Sequence, residues 1–340
     1  MRVSTARPRP VPAPNEPRFE RAVRGRALGA RLEPGVTAQG VASLSKPSKQ
    51  AAMGRRLDAL LEQSRGPYSV AGKSVGVTPA FRSLHPNSAQ HSPQTYLHKI
   101  KSEVGPSVWK EIAMSAAHAT GSRGSLKDIQ RVTQALIDSP LGKKRLEGFA
   151  KQPPELAIRR LMKEHGIGLD CKGYALHGFL EARAENGVRP PNAKYGFGST
   201  DVQPHVSNKL KELGIDSART GDLIRLSPDG GRDHNVIVRS KKDLVVAPGA
   251  SLVALGKSPS AEFLKNPAGG PTKITMLTVD GAWGDGNSND GAVGGVERRV
   301  WLRNESTGMW ACLDRFGDFQ ISKGPADHES AVVYRPKAEP

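Results

Sequence analysis

The sequence predicts an α+β fold in which helices come first along the chain and an antiparallel sheet follows. From residue 93 to residue 181, apolar residues recur every three or four positions, which is the spacing of helices with one buried face. Beyond residue 220, short runs rich in Val and Ile are separated by turn residues, which is typical of strands. Helices that precede the strands, instead of alternating with them, favour an antiparallel sheet.

Composition divides the chain into three parts. Residues 1–50 are rich in Pro, Ala and Arg and poor in large apolar side chains, so we expect a disordered basic tail. Residues 51–150 are expected to contain a short helix at 51–64, a linker at 65–92 and a small helical region. Residues 154–335 are expected to form the domain that carries the chemistry.

The net charge of +17 favours polyanionic partners, which include nucleic acid, anionic lipid and the acidic polymers of a bacterial envelope. The sequence has no helix-turn-helix, zinc-finger or other nucleic-acid-binding pattern, and no CxxC or HExxH pattern that would indicate a metal. We therefore expect no cofactor.

The N-terminus has no apolar stretch of the kind found in signal peptides, and no segment approaches the roughly 20 apolar residues that span a bilayer. We expect synthesis in the cytoplasm without a transmembrane segment. We also expect export by a specialised secretion machinery, to which the N-terminal tail would bind.

The best candidate for a nucleophile is Cys171, at the start of a predicted helix with Asp170 as its N-cap. The helix dipole favours a thiolate at that position, and the first backbone amides of the helix can receive an oxyanion. A buried structural cysteine is the alternative interpretation. The second cysteine, Cys312, is expected to be a small core residue.

Two further residues complete a candidate catalytic triad. His234 directly precedes the strand-like run Asn-Val-Ile-Val and is placed to act as a general base. Asp280 ends the predicted strand KITMLTVD, where its carboxylate could orient the imidazole. The alternative for His234 is an ordinary surface or core residue, and the alternative for Asp280 is a turn-initiating aspartate before Gly281. Only the combination indicates an active site.

These segments resemble a known superfamily. GLDCKGYALHGFL is similar to the nucleophile motif of NlpC-type peptidoglycan peptidases, with Lys172 where those proteins usually have Ser. TGDLIRL followed by DHNVIV resembles the two strands that carry the histidine in that family. The resemblance covers about residues 155–310. It implies a papain-like core, in which a helix bearing the nucleophile packs on an antiparallel sheet, with Cys171 as nucleophile and His234 as base.

The same residues also resemble transglutaminase-like proteins. CKGYALHGFLEARAENGV is similar to the cysteine helix of that group, and VDGAWG to the motif that supplies its aspartate. Both resemblances imply the order Cys, His, Asp. They differ in the reaction, because transglutaminase-like proteins also deamidate or cross-link glutamine side chains.

The sequence therefore predicts a cysteine amidase or endopeptidase that acts on peptide bonds of bacterial peptidoglycan, as an effector or toxin with an inhibitor or immunity protein as a further partner. Asp170, Tyr174 and Trp283 are expected to contact the substrate. Two alternatives stay open: an effector that modifies glutamine side chains of a target protein, and a basic binding protein without catalytic activity.

Overall fold

The computed structural model describes nine ranges of the chain: 36–38, 49–82, 92–121, 124–184, 210–226, 234–284, 294–313, 318–327 and 330–337. Helices dominate the first half and strands the second, so the α+β prediction is confirmed. Most of the predicted tail lies outside the described residues. So does most of the glycine-rich segment that follows Trp283.

Most of the described helices begin after a capping side chain or with proline at their start. They are α1 (Lys49–Ser64), α2 (Pro93–Val104), α3 (Pro106–Thr120), α4 (Leu126–Asp138), α5 (Pro140–Gly148), α6 (Pro154–Glu164) and α7 (Cys171–Glu181). The hydroxyls of Ser92, Ser125 and Ser139 accept hydrogen bonds from the first turns of α2, α4 and α5. Proline stands near the start of α2, α3, α5 and α6, where its missing N–H costs nothing.

Two segments differ from the sequence prediction. Within the expected linker, β2 (Gly66–Val70) and β3 (Lys73–Val77) form a hairpin. Ala71 and Gly72 form its two-residue turn with positive φ angles of 49° and 77°, as a tight hairpin requires. Within the expected tail, β1 (Val36–Ala38) pairs with a strand of the main sheet.

The main sheet is antiparallel and contains β1 and eight further strands. These are β4 (Leu210–Leu213), β5 (Leu223–Leu226), β6 (His234–Val246), β7 (Thr272–Trp283), β8 (Gly295–Asn304), β9 (Trp310–Leu313), β10 (Phe319–Ser322) and β11 (Ala331–Pro336). Their order is β10-β9-β8-β7-β6-β5-β11-β4, and β1 pairs with β6.

The α7 helix packs on one face of this sheet, which we call the helix face. A side chain at Gly178 of α7 would meet the Ile237 side chain at 2.9 Å, so glycine permits the close approach of helix and strand. Ile237 and Ala282 share a core with the helices, whereas Val236 and Trp283 belong to a separate core on the other side, which we call the far face. Because successive strand residues point to opposite faces, this division assigns each neighbouring side chain to a face.

A β-bulge between Val238 and Ser240 changes that assignment along β6. Before the bulge, even-numbered residues such as Val236 lie on the far face. After it, Leu244 lies with Ile274 of β7 in a core on the helix face. The side chain of Arg239, at the bulge, reaches Asp58 of α1.

Among the described helices, none has the length and apolar character needed to cross a bilayer. This agrees with the expectation, drawn from the sequence, that the chain has no transmembrane segment.

Candidate active site around Cys171

Cys171 is the first residue of α7, and the chain around it is held by backbone hydrogen bonds. Asp170 caps the helix, because its Oδ1 accepts from the backbone N–H of Gly173 at 2.5 Å. Ahead of the cap, the backbone N–H of Leu169 donates to the carbonyl of Ala80 at 3.0 Å. The sulfur therefore lies at the positive end of α7, and Cys171 is 7% exposed.

The residue that contacts the Cys171 sulfur from the sheet is Asn235. Burial is the largest influence on the thiol and raises its pKa. Hydrogen bonding from the backbone and side-chain amides of Asn235 opposes this, and the pKa stays above its ordinary value. Asp170 raises the pKa further and Lys172 lowers it. The resting thiol is therefore protonated at neutral pH, and attack on a carbonyl needs a general base.

His234 lies next to Asn235 in the chain, but its imidazole is on the far face. His234 is the first residue of β6 and pairs with Leu226 of β5. Its ring stacks on Trp283 with 4.2 Å between ring centroids, and the guanidinium of Arg299 lies 3.8 Å from the Trp283 ring centre. The imidazole of His234 therefore lies on the face opposite to Cys171, and only the backbone of His234 leads to Asn235, the residue that contacts the sulfur.

Asp280 lies on the helix face and is fully buried. Both of its carboxylate oxygens accept from Arg298, at 2.6 and 2.8 Å, and Arg298 also donates to Asp58 at 2.7 Å. Asp58 in turn accepts from Arg239 at 2.6 Å. We call the alternating series Arg239–Asp58–Arg298–Asp280 the ion chain.

The described structure thus brings two of the predicted triad residues to one face of the sheet and leaves the third on the other. Cys171 and Asp280 lie on the helix face, and His234 lies on the far face. The expected pairing of Asp280 with His234 is replaced by the pairing of Asp280 with Arg298, because the strand register places Arg298 directly opposite Asp280.

The residues expected to contact substrate have structural partners. Asp170 caps α7, and Trp283 is packed between His234 and Arg299. Tyr174 is 1% exposed; burial, followed by the charge of Asp280, raises its pKa well above the ordinary value. Their contacts with a substrate stay predictions.

We compared the chain with protein-family models, with curated proteins and with solved structures. None matches. The site is therefore interpreted from its own geometry.

Two groups of residues near the site were not singled out from the sequence. One is Asn235, whose position after His234 in a strand already implied that it would face the opposite side. The other is Arg298 with Asp58, which no local pattern reveals because 240 positions separate them. A sequence signal existed only for Asn235, in the period-two alternation of strands.

The GDL sequence before β5, which contributed to the family resemblance, also has a structural role. Asp222 is 1% exposed and accepts from Arg335 of β11 at 2.6 and 3.0 Å. It also accepts from the backbone N–H of Arg219 at 2.8 Å. This ion pair ties the turn before β5 to β11, and so fixes the strand against which His234 pairs.

A cavity of about 550 Å³ lies elsewhere on the molecule. It is lined by residues of β4, of the turn after it, of β6 and of β11, including Lys211, Asp216, Arg219, Lys241 and Arg335. None of the three predicted triad residues contributes to its wall.

Proposed function

We propose that the chain is a cysteine hydrolase with a papain-like core that cleaves amide bonds of peptidoglycan stem peptides. Cys171 is the nucleophile and His234 the general base. One observation supports this most: the sulfur at the positive end of α7 is hydrogen-bonded by the backbone of Asn235, the residue that directly follows His234. The Cys171 thiol, the N-terminus of α7 and the backbone of His234 are therefore close to one another.

The proposal requires the imidazole to move. His234 is the first residue of β6 and is half-buried, so the ring can be redirected by unpairing His234 from Leu226, which is the last residue pair at this end of the strand. The first residue of β6 is His234, whose Cα is about 3.8 Å from that of Asn235. The ring would therefore turn around the end of the strand and would not have to cross the sheet. Separation from Trp283 costs about 0.5–1.5 kcal/mol, which substrate binding can supply.

In the proposed reaction, His234 takes the proton of the Cys171 thiol, and the sulfur attacks the amide carbon to form a tetrahedral oxyanion. Collapse breaks the C–N bond, the imidazolium protonates the leaving amine, and a thioester remains on Cys171. Water, deprotonated by His234, then hydrolyses the thioester and releases the acid. Asp280 holds Arg298 and the sheet in place and does not contact the imidazole.

The substrate class follows from two features of the chain. The resemblance of GLDCKGYALHGFL to peptidoglycan peptidases supports a stem-peptide amide, and the net charge of +17 favours an anionic cell-wall polymer over a neutral one.

The test is incubation of the full chain with purified peptidoglycan, followed by mass spectrometry of the released fragments. We expect new peptide termini with the wild type and with Cys312→Ser, and none with Cys171→Ser. Equal cleavage by Cys171→Ser, or no cleavage by any of the three, would refute the proposal. Incorporation of a primary amine into a glutamine-bearing protein, without cell-wall cleavage, would favour the transglutaminase-like alternative instead.

A further inference from the structure

The side-chain amide of Asn235 is buried beside the Cys171 sulfur, and that sulfur is the group it hydrogen-bonds. The residue is 6% exposed, and its Nδ2 makes no hydrogen bond with an oxygen or nitrogen atom of the described residues. Buried amide groups are nearly always hydrogen-bonded, because an unsatisfied donor loses the bonds it would make with water. A thiol sulfur is a weak acceptor, so a donor held by it alone is able to take a stronger acceptor such as an oxyanion.

A second buried asparagine of the same sheet shows what a structural role looks like. Asn304, at the end of β8, is fully buried. Its Nδ2 donates to the carbonyls of Phe263 and Lys265 at 2.7 and 3.0 Å, and its Oδ1 accepts from the backbone N–H of Ser306 at 2.9 Å. Asn304 organises a turn, whereas the side-chain amide of Asn235 has the sulfur of the candidate nucleophile as its partner.

The position of Asn235 limits what the partner can be. Asn235 precedes Ile237 by two residues, so its side chain lies on the helix face, where α7 packs. Its backbone N–H hydrogen-bonds the Cys171 sulfur. The side-chain amide is therefore held beside the nucleophile and beside the first turn of α7.

We infer that the side-chain amide of Asn235 is an oxyanion donor for acyl transfer at Cys171. The inference rests on the proposed function. When the sulfur attacks a carbonyl carbon, the S–C bond forms and the C=O π electrons move to the oxygen. Nδ2 donates to that oxygen together with the N-terminal amides of α7, and the bond weakens again when the carbonyl re-forms and the leaving group departs.

Two small reagents separate this role from a general effect on the thiol. Acylation of Cys171 by p-nitrophenyl acetate passes through a tetrahedral oxyanion and releases p-nitrophenolate. Alkylation by iodoacetamide displaces iodide without one. Both reactions depend equally on the fraction of thiolate. The ratio of their rates, taken across a pH series and assigned to Cys171 by mass spectrometry, therefore reports the oxyanion donor alone.

We expect Asn235→Ala to lower this ratio by about 100-fold to 1000-fold, which is the usual effect of removing one oxyanion donor. Asn235→Asp keeps the side-chain size, removes the donor and adds negative charge, so it should lower the ratio at least as much. If Asn235→Ala fails to fold, Asn235→Asp tests the same prediction. Asn266→Ala, outside the site, should leave the ratio at the wild-type value.

An unchanged ratio in both Asn235 variants, with the wild type readily acylated, would overturn the role of Asn235 and leave the proposed function standing. A wild-type protein whose Cys171 is acylated no faster than its Cys312 would overturn both.

Discussion

Near Cys171, the two faces of β6 and β7 differ in the contacts that hold their polar side chains. On the helix face, Asp280 is buried in the ion chain and is held by two hydrogen bonds from Arg298. On the far face, His234 is half-buried and is held by stacking on Trp283. The helix face is therefore fixed by ion pairs that are costly to break, and the far face by an aromatic contact that is easily exchanged. Of the two predicted partners of Cys171, we therefore expect the histidine to be the one that moves.

The largest expected effect is on the helix face, where Asp280→Asn leaves Arg298 with only Asp58 as its counterion. Loss of one partner from a buried pair should lower the free energy of unfolding by about 3 kcal/mol, measured by urea denaturation. Asp243→Asn, at an exposed carboxylate that accepts from Thr275, is the matched control and should be close to neutral. Normal stability combined with a roughly 10⁴-fold loss of hydrolysis would instead indicate that Asp280 orients His234.

The second prediction concerns the pH dependence of the Cys171 thiol on the helix face. Because burial raises the pKa of Cys171, its alkylation by iodoacetamide should accelerate about tenfold per pH unit through neutrality and beyond about pH 8.5. The folded protein holds the proton more tightly than the unfolded chain, so stability falls as pH rises above the ordinary thiol value, and Cys171→Ala removes this dependence. An alkylation rate that is already constant below pH 7 would show a thiolate paired with an imidazolium, and so a His234 ring already at the sulfur.

The smallest effect on stability is expected on the far face. His234→Gln removes the ring contact with Trp283, and we expect it to lower the free energy of unfolding by about 1.5 kcal/mol. Peptidoglycan cleavage should nevertheless fall by about 10²-fold to 10⁴-fold, because the general base is lost. The control is His98→Gln, at an exposed histidine of α2. Cleavage at the wild-type rate by His234→Gln would exclude His234 as the base.

Local sequence patterns predicted the helix and the strands of the site. They did not predict which side chains pair, because that depends on the register between strands. Asp170 before an apolar helix predicts the start of α7, and the run after His234 predicts β6. The partner of Asp280 depends instead on how β7 and β8 align, and no residue pattern within either strand states that alignment. The bulge between Val238 and Ser240 also exchanges the faces of β6, and no residue type in the sequence marks it.

The hairpin of β2 and β3 shows the opposite case, in which a signal was present but was not used. A two-residue Ala-Gly turn between short alternating runs is a hairpin pattern. The nearby Gly-Pro and Thr-Pro pairs led to the prediction of a linker instead. The hairpin contributes Tyr68 and Val77 to the core shared with the helices, so it is part of the folded body.

The ion chain bears on where a shortened version of this protein can begin. Asp58 belongs to α1, and it is the carboxylate that lies between the guanidinium groups of Arg239 and Arg298. A chain started at residue 154, where the nucleophile-bearing half begins, would leave Arg239 without this counterion and Arg298 with Asp280 alone. We therefore expect the smallest unit that folds and carries Cys171 to include α1, about a hundred residues ahead of the thiol.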